Sequence, residues 1–365
     1  MVTRIQEIDV LRSVAIIFII FAHIDSFTSL PIFDELDEIF AFFGISIFFF
    51  ISGFLMQKNN NFATDKDVSF FFKKRVLKIY PLYWLSIVAI YAMDKIGFDV
   101  VYSNDIAADK FLLLSYIFGF QGLIHEDYAL SVWWFVGVIL LYYFLFSIIL
   151  HYSKSFGGLL AYSFFMVLPL LFLRNEFNLV NVNVFSYYFI FIAGILSAAA
   201  ENLESFKKIT LSYSVLLLSF LLMSYLGINT NYLSDISKRD LVFLIFVLIF
   251  TLYNIKFSCQ NKFKIPMSVQ KLADSSYSIY LFHIPLLTLF QSFILMSFSL
   301  EILNRHLFDY LTLFLGIPFT LFSGYFIMIY LDKLCNKYKK KFNIIHIRHF
   351  IGLMRQIMKN RDFVK

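Results

Sequence analysis

The stretch IDVLRSVAIIFIIFAHIDSF, residues 8–27, decides the fold class. It is apolar over most of a length that crosses a hydrocarbon core, since about 20 helical residues span roughly 30 Å. Two residues do not fit: Arg12, about one turn in, and His23, near the far end. An arginine at a bilayer centre costs roughly 2.5–3.5 kcal/mol on insertion scales, so such groups need a partner, a cavity or the interface. At about 100° per residue, the spacing from Arg12 to His23 puts both within roughly 20° of one helix face and about 16.5 Å apart along the axis. Asp9 lies near the same stripe and could pair with Arg12. Taken singly, Arg12 could instead snorkel to the interface, and His23 could be a hydrogen-bonded packing residue.

Similar apolar runs recur along the 365 residues, which are 60% hydrophobic and 15% charged. A soluble domain of this size carries about a quarter charged residues. The chain therefore reads as an all-α polytopic membrane helix bundle. Ten spans are expected, at about 8–27, 38–57, 76–93, 129–150, 158–173, 184–200, 209–226, 240–255, 276–297 and 309–331. The piece KFLLLSYIFGFQGL (110–123) is too short to cross and reads as re-entrant or interfacial. With the N-terminus inside, 23 Lys or Arg fall on inner segments and 6 on outer loops. That asymmetry predicts both termini on the cytoplasmic side.

Residues 1–331 read as the membrane domain and 332–365 as a basic tail, with ten Lys or Arg against Asp332 and Asp362. The tail segment NIIHIRHFIGLMRQIMKNR (343–361) spaces its apolar and basic residues as an interfacial amphipathic helix would. Such basicity suits an anionic membrane surface better than nucleic acid, so no nucleic-acid partner is expected. Cys259 and Cys335 fall in inner segments, where a disulfide is not expected. No cleavable signal peptide is read at the N-terminus, where Glu7 and Asp9 occupy the would-be basic region.

Further features carry chemistry. FFKKRVLKIYPLYWL (71–85) clusters Lys73, Lys74, Arg75 and Lys78 ahead of a span, with Pro81 at its start. This is either a positive-inside anchor or an anion site, since Arg75 and Lys78 are i, i+3 neighbours able to converge on a phosphate. FFGISIFFFISGFLM (42–56) interrupts an aromatic helix with Gly44 and Ser52-Gly53, which by themselves read as close helix packing. SSYSIYLFHIPLL (275–287) places Tyr280 and His283 in a span ahead of Pro285, a second intramembrane histidine that could share a site with the first. The paired tryptophans of WWFVGVILLYY (133–143) read as an aromatic belt. His125-Glu126-Asp127 is too slight a pattern for a metal, and no metal site is expected.

These pieces, in this order, resemble the acyltransferase-3 family of integral membrane acyltransferases. The resemblance rests on IDVLRSVAIIFIIFAH, GISIFFFISGF, FFKKRVLKIYPLYWL, the aromatic pattern in WWFVGVILLYYF, and SSYSIYLFH, and covers about residues 5–331. It implies an enzyme of the bacterial cytoplasmic membrane that takes an acetyl or other acyl group from cytoplasmic acyl-CoA. The acceptor implied is a hydroxyl on a cell-surface glycan or lipid-linked saccharide. Acetyl-CoA is then a donor substrate, and no permanently bound cofactor is expected. By the family pattern His23 and Arg12 are the catalytic pair. Arg75 and Lys78, with Lys74 beside them, form the basic donor-binding motif. Asp9, Ser52, Gly53, Tyr280 and His283 occupy further motif positions. Lys78 stands where the family motif has arginine, which keeps the charge but loses the bidentate fork. Ile139 and Leu140 stand where many members carry carboxylates. The soluble esterase-like domain that many members append is absent from these residues. A homodimer is compatible with such a body. A transporter or flippase of surface polysaccharide or lipid precursors is the alternative, and it predicts inverted repeats that are not seen.

Overall fold

The computed structural model describes residues 4–98, 110–123, 132–153, 155–177, 179–199, 264–298 and 304–334. The expected spans at 209–226 and 240–255, the basic tail beyond Leu334, both cysteines and His125-Glu126-Asp127 lie outside the described residues. Among the described residues every regular element is helical. The helices are α1 (Gln6–Ala22), α2 (Pro31–Asn59), α3 (Asp65–Lys95), α4 (Lys110–Phe118), α5 (Trp134–Tyr152) and α6 (Phe156–Phe177), then α7 (Asn183–Ala199), α8 (Met267–Ser297) and α9 (Arg305–Leu334). Six of them, α2, α3, α5, α6, α8 and α9, are long and apolar enough to cross a membrane. The chain is an all-α membrane bundle.

Local chemistry starts and stops these helices. α1 carries Glu7 and Asp9 in its first turn, where backbone N–H groups favour negative charge. α2 begins with Pro31, whose missing N–H costs nothing at a first helical position. α3 begins with a capping box: Thr64 accepts from the Asp67 N–H, and the Asp67 carboxylate accepts from the Thr64 N–H. The sequence places Pro81 at the start of a span, yet it lies inside α3, which already runs from Asp65. The proline removes one backbone bond, and the helix around it is long enough to tolerate that loss. The four basic residues ahead of Pro81 therefore sit on regular helix.

α2 is the packing axis, lying against α1 on one side and α7 on the other. Glycines permit the approach. A methyl group at Gly53 would sit 2.1 Å from the Phe191 carbonyl oxygen, and one at Gly194 would sit 2.1 Å from the Phe50 carbonyl oxygen. This reciprocal pair presses the α2 and α7 backbones together, as small residues do between membrane helices. Around it the rings of Phe49, Tyr142, Phe146, Tyr188 and Phe191 interlock. Large apolar side chains on α6 and α9, among them Phe165, Phe172, Phe314 and Phe322, point outward and are exposed. In water such a surface would aggregate, whereas in a bilayer it suits contact with lipid.

α4 is about 13.5 Å long and does not span. Three side chains of α3 receive its C-terminal carbonyls. The Tyr83 hydroxyl donates to Tyr116, the Trp84 indole to Ile117 at 2.8 Å, and the Tyr80 hydroxyl to Phe118 at 2.6 Å. They satisfy the oxygens of Ile117 and Phe118, which the helix end leaves without a backbone partner among the described residues, and add a second donor to that of Tyr116, which also accepts from the Gly119 N–H at 3.2 Å. The chain then turns at Gly119, whose φ of +74° suits glycine, and buries Gln121, whose amide donates to Tyr83 and to the Trp133 carbonyl.

Candidate active site

α1 and α8 run parallel and are tied together at their starts. The Ile265 N–H donates to the Gln6 amide oxygen, and Ser13 donates to the Val269 carbonyl at 3.0 Å. Arg4 donates through one nitrogen to Asp9 and through the other two to both oxygens of Asp274. The Asp9 bond, with help from Asp274, raises the Arg4 pKa above its ordinary value. This ties down the base of α1, and the stripe carrying Arg12 and His23 then rises along α8.

The suggested pairing of Asp9 with Arg12 is not what forms. Helical side chains lean toward the N-terminus, so the Asp9 carboxylate reaches back to Arg4 and away from Arg12. Arg12 instead lines a cavity of about 150 Å³ together with Arg75 and Lys78 of α3. Ser52 of α2 and Asp274, Ser276, Tyr277 and Tyr280 of α8 add polar atoms to its wall. Phe48, Ile51, Ile79, Phe135, Ile139 and Tyr143 make the rest of it apolar.

The electrostatics of this cavity are one-sided. Among the described residues no hydrogen bond or ion pair engages the side chains of Arg12, Arg75 or Lys78. The one carboxylate on the wall, Asp274, is held in fork geometry by Arg4. Three cations thus face a common space without an acid bonded to them, an arrangement suited to a multiply charged anion. Arg75 is also held in place: its guanidinium carbon lies 5.1 Å from the Phe71 ring centre and 4.9 Å from that of Tyr143. Such cation–π contacts leave its N–H fork free for a ligand.

The cavity ends on aromatic rings. The Tyr280 ring lies 5.2 Å from that of Phe135 and 6.5 Å from that of Phe48, and its hydroxyl donates to the Val132 carbonyl. Next along α8 is His283, fully buried, its ring centre 6.2 Å from that of Tyr280 and 5.1 Å from that of His23. His23 closes α1 as its C-cap residue, where the backbone leaves the helix. The cationic cavity and the histidine pair are therefore neighbours separated by one tyrosine ring.

The structure brings Arg12, Arg75, Lys78, Ser52 and Tyr280 to one cavity, and His23 and His283 to one another just beyond it. Lys74 is exposed and does not line the cavity, since it lies about 100° around α3 from Arg75. Gly53 belongs to the contact with α7, whereas its neighbour Ser52 faces the cavity. Ile139 makes apolar wall. Sequence reasoning missed Asp274, Tyr277 and Tyr143. Asp274 had a signal, an acid at the head of an otherwise apolar run. Tyr143 has no such signal, since nothing local distinguishes a ring over an arginine from one at a lipid interface. No group of three metal-ligating side chains occurs among the described residues.

Comparison with curated proteins and with solved structures returns no significant match. The sequence model of the acyltransferase-3 family, described as an acyltransferase domain, matches residues 5–340, a stretch that contains both the cavity and the histidine pair, and the chain belongs to that family.

Proposed function

We propose that this membrane acyltransferase moves an acetyl or similar short acyl group from cytoplasmic acyl-CoA to a hydroxyl of a cell-surface glycan or lipid-linked saccharide. It would do so in the bacterial cytoplasmic membrane, with both chain termini inside. The observation that carries the donor half is the single cavity in which Arg12, Arg75 and Lys78 converge over an apolar floor. Coenzyme A has the same two-part character: several phosphates at one end and a long, largely uncharged thioester arm at the other. In this reading the cations neutralise phosphate and the arm runs past Tyr280 toward His23. Arg75 supplies the geometrically fixed contact, and Lys78 and Arg12 add charge.

His23 is the base in this mechanism. A neutral imidazole accepts the proton of the acceptor hydroxyl as its oxygen attacks the thioester carbonyl. The C–O bond forms, the C–S bond breaks, and the proton passes to the departing thiolate, leaving ester and free thiol. The saccharide acceptor is supported by family membership alone, and the chemistry asks no more of it than an accessible hydroxyl.

The test uses the purified full chain in lipid nanodiscs with acetyl-CoA. Titration calorimetry should show CoA binding that weakens on Arg75→Ala and Arg12→Ala. In cells, His23→Ala should abolish O-acetyl groups on surface glycan, scored by mass spectrometry at matched protein levels. Retained acetylation would sink the base assignment, and absence of CoA binding by the unmodified chain would sink the donor assignment.

A further inference from the structure

Beside His23, the imidazole of His283 is held by its own helix. His283 Nδ1 lies 2.7 Å from the carbonyl oxygen of Tyr280. A carbonyl oxygen can only accept, so Nδ1 carries the hydrogen, and the neutral ring then has its lone pair on Nε2. Nε2 is buried and has no hydrogen-bond partner among the described residues. Buried polar atoms are nearly always satisfied, and each exception calls for an explanation. The ring packed against it is that of His23, which is less deeply buried.

We infer that His283 is the positioning residue for His23: the two ring centres lie 5.1 Å apart, and when the His23 ring turns an N–H toward the unpartnered Nε2 of His283, that nitrogen accepts it and so fixes which His23 nitrogen meets the acceptor hydroxyl. The inference rests on the acyl-transfer reading and deepens it. With its first N–H given to His283, neutral His23 has its lone pair on the opposite nitrogen. That nitrogen takes the hydroxyl proton as the new C–O bond forms, and His23 then carries two N–H groups. The N–H toward His283 remains in a hydrogen bond that stabilises the cation. When the C–S bond breaks, the same proton goes from His23 to the thiolate sulfur. His283 exchanges no proton overall, so the sum is hydroxyl plus thioester giving ester plus thiol. The carboxylate usual behind a catalytic imidazole is replaced here by a second imidazole whose tautomer is set by its own helix backbone.

The experiment supplies acetyl-CoA to membrane vesicles from the producing cells, which carry the natural acceptor, and follows thiol release. His283→Leu should lower kcat about 100-fold, the scale of a general-base contribution, and leave KM for acetyl-CoA within about twofold. His283→Gln, whose amide oxygen can occupy the place of Nε2, should recover kcat to within about tenfold of the unmodified chain. Nitrogen-15 NMR of histidine-labelled unmodified protein should show His283 protonated at Nδ1 and bare at Nε2. This last measurement decides the matter even where a variant fails to fold. Unchanged kcat in a folded His283→Leu variant, a folded Gln variant no better than Leu, or a proton on Nε2 would each overturn the inference. If the unmodified vesicles release no thiol, the acyl-transfer reading itself fails, and the inference with it. If they do so and His23→Ala matches them, the base assignment fails separately.

Discussion

Gly53→Ala tests how tightly the fold holds the cavity, and its cost can be worked from the structure. The added carbon would lie 2.1 Å from the Phe191 carbonyl oxygen. A tolerated carbon–oxygen contact is about 3.3 Å, so the α2 and α7 backbones must part by roughly 1.2 Å along that line. Backbone atoms cannot swing aside as a side-chain tip does, so the strain is shared along both helices. Inserting a methyl group into a packed core typically costs about 1–3 kcal/mol. At about 2–4 °C per kcal/mol, the midpoint of thermal inactivation in nanodiscs should fall by roughly 4–8 °C for a mid-range cost. The reciprocal Gly194→Ala should behave alike, since its methyl would lie 2.1 Å from the Phe50 carbonyl oxygen. Because either substitution opens the same gap, the double variant should cost less than the sum of the two, a coupling of about 0.5–3 kcal/mol. The assay is a double-mutant cycle on inactivation midpoints, with CoA binding measured below them. Strictly additive midpoints, or a Gly53→Ala protein as stable as the original, would refute the reciprocal contact.

Three other outcomes are expected. Arg75→Lys keeps the charge but loses the fork and the seat between Phe71 and Tyr143; losing about 1.5–3 kcal/mol of charged hydrogen bonding should raise Kd for CoA roughly 10- to 150-fold by calorimetry, and an unchanged Kd would remove Arg75 from the donor site. Tyr83→Phe leaves the Tyr116 carbonyl and the Gln121 amide without their shared partner, and hydrogen exchange over residues 110–118 should speed up in line with about 1–3 kcal/mol of local stability; unaltered exchange there would contradict the docking of α4. Arg4→Ala strands the buried Asp9 carboxylate and releases Asp274 toward the cavity, so both thermal stability and CoA affinity should fall, and adding Asp9→Asn should restore stability but not affinity; restoration of both would show that Arg4 acts through Asp9 alone.

Much of the membrane body was legible in sequence because lipid imposes one dominant rule, an apolar run of helical length. The same rule left Arg12 and His23 conspicuous, and their shared stripe follows from helical spacing alone. Continuous helix through Arg75 and Lys78 keeps them on one face, again as spacing predicts. What was not legible depends on how helices meet. Asp9 had two arginines within reach, and the lean of helical side chains decided for Arg4. Ser52 and Gly53 are adjacent in sequence yet serve a cavity and a helix contact, because neighbours on a helix point about 100° apart. The meeting of His23 with His283 is set by the parallel alignment of α1 and α8. That alignment depends on Gln6, Ser13 and Arg4 gripping a segment more than 250 residues away.

The docking of α4 has a consequence for how such chains can diverge. Tyr80, Tyr83 and Trp84 hold carbonyl oxygens, and a carbonyl is the one feature of α4 that substitution does not alter. The side-chain donors of these three hydrogen bonds are therefore all written on α3. The exposed side chains Leu114, Ile117 and Phe118 can drift through many apolar sequences while the helix stays seated. In related chains the tyrosine–proline–leucine–tyrosine–tryptophan run should mark where a short helix docks, even when nothing in that helix can be aligned.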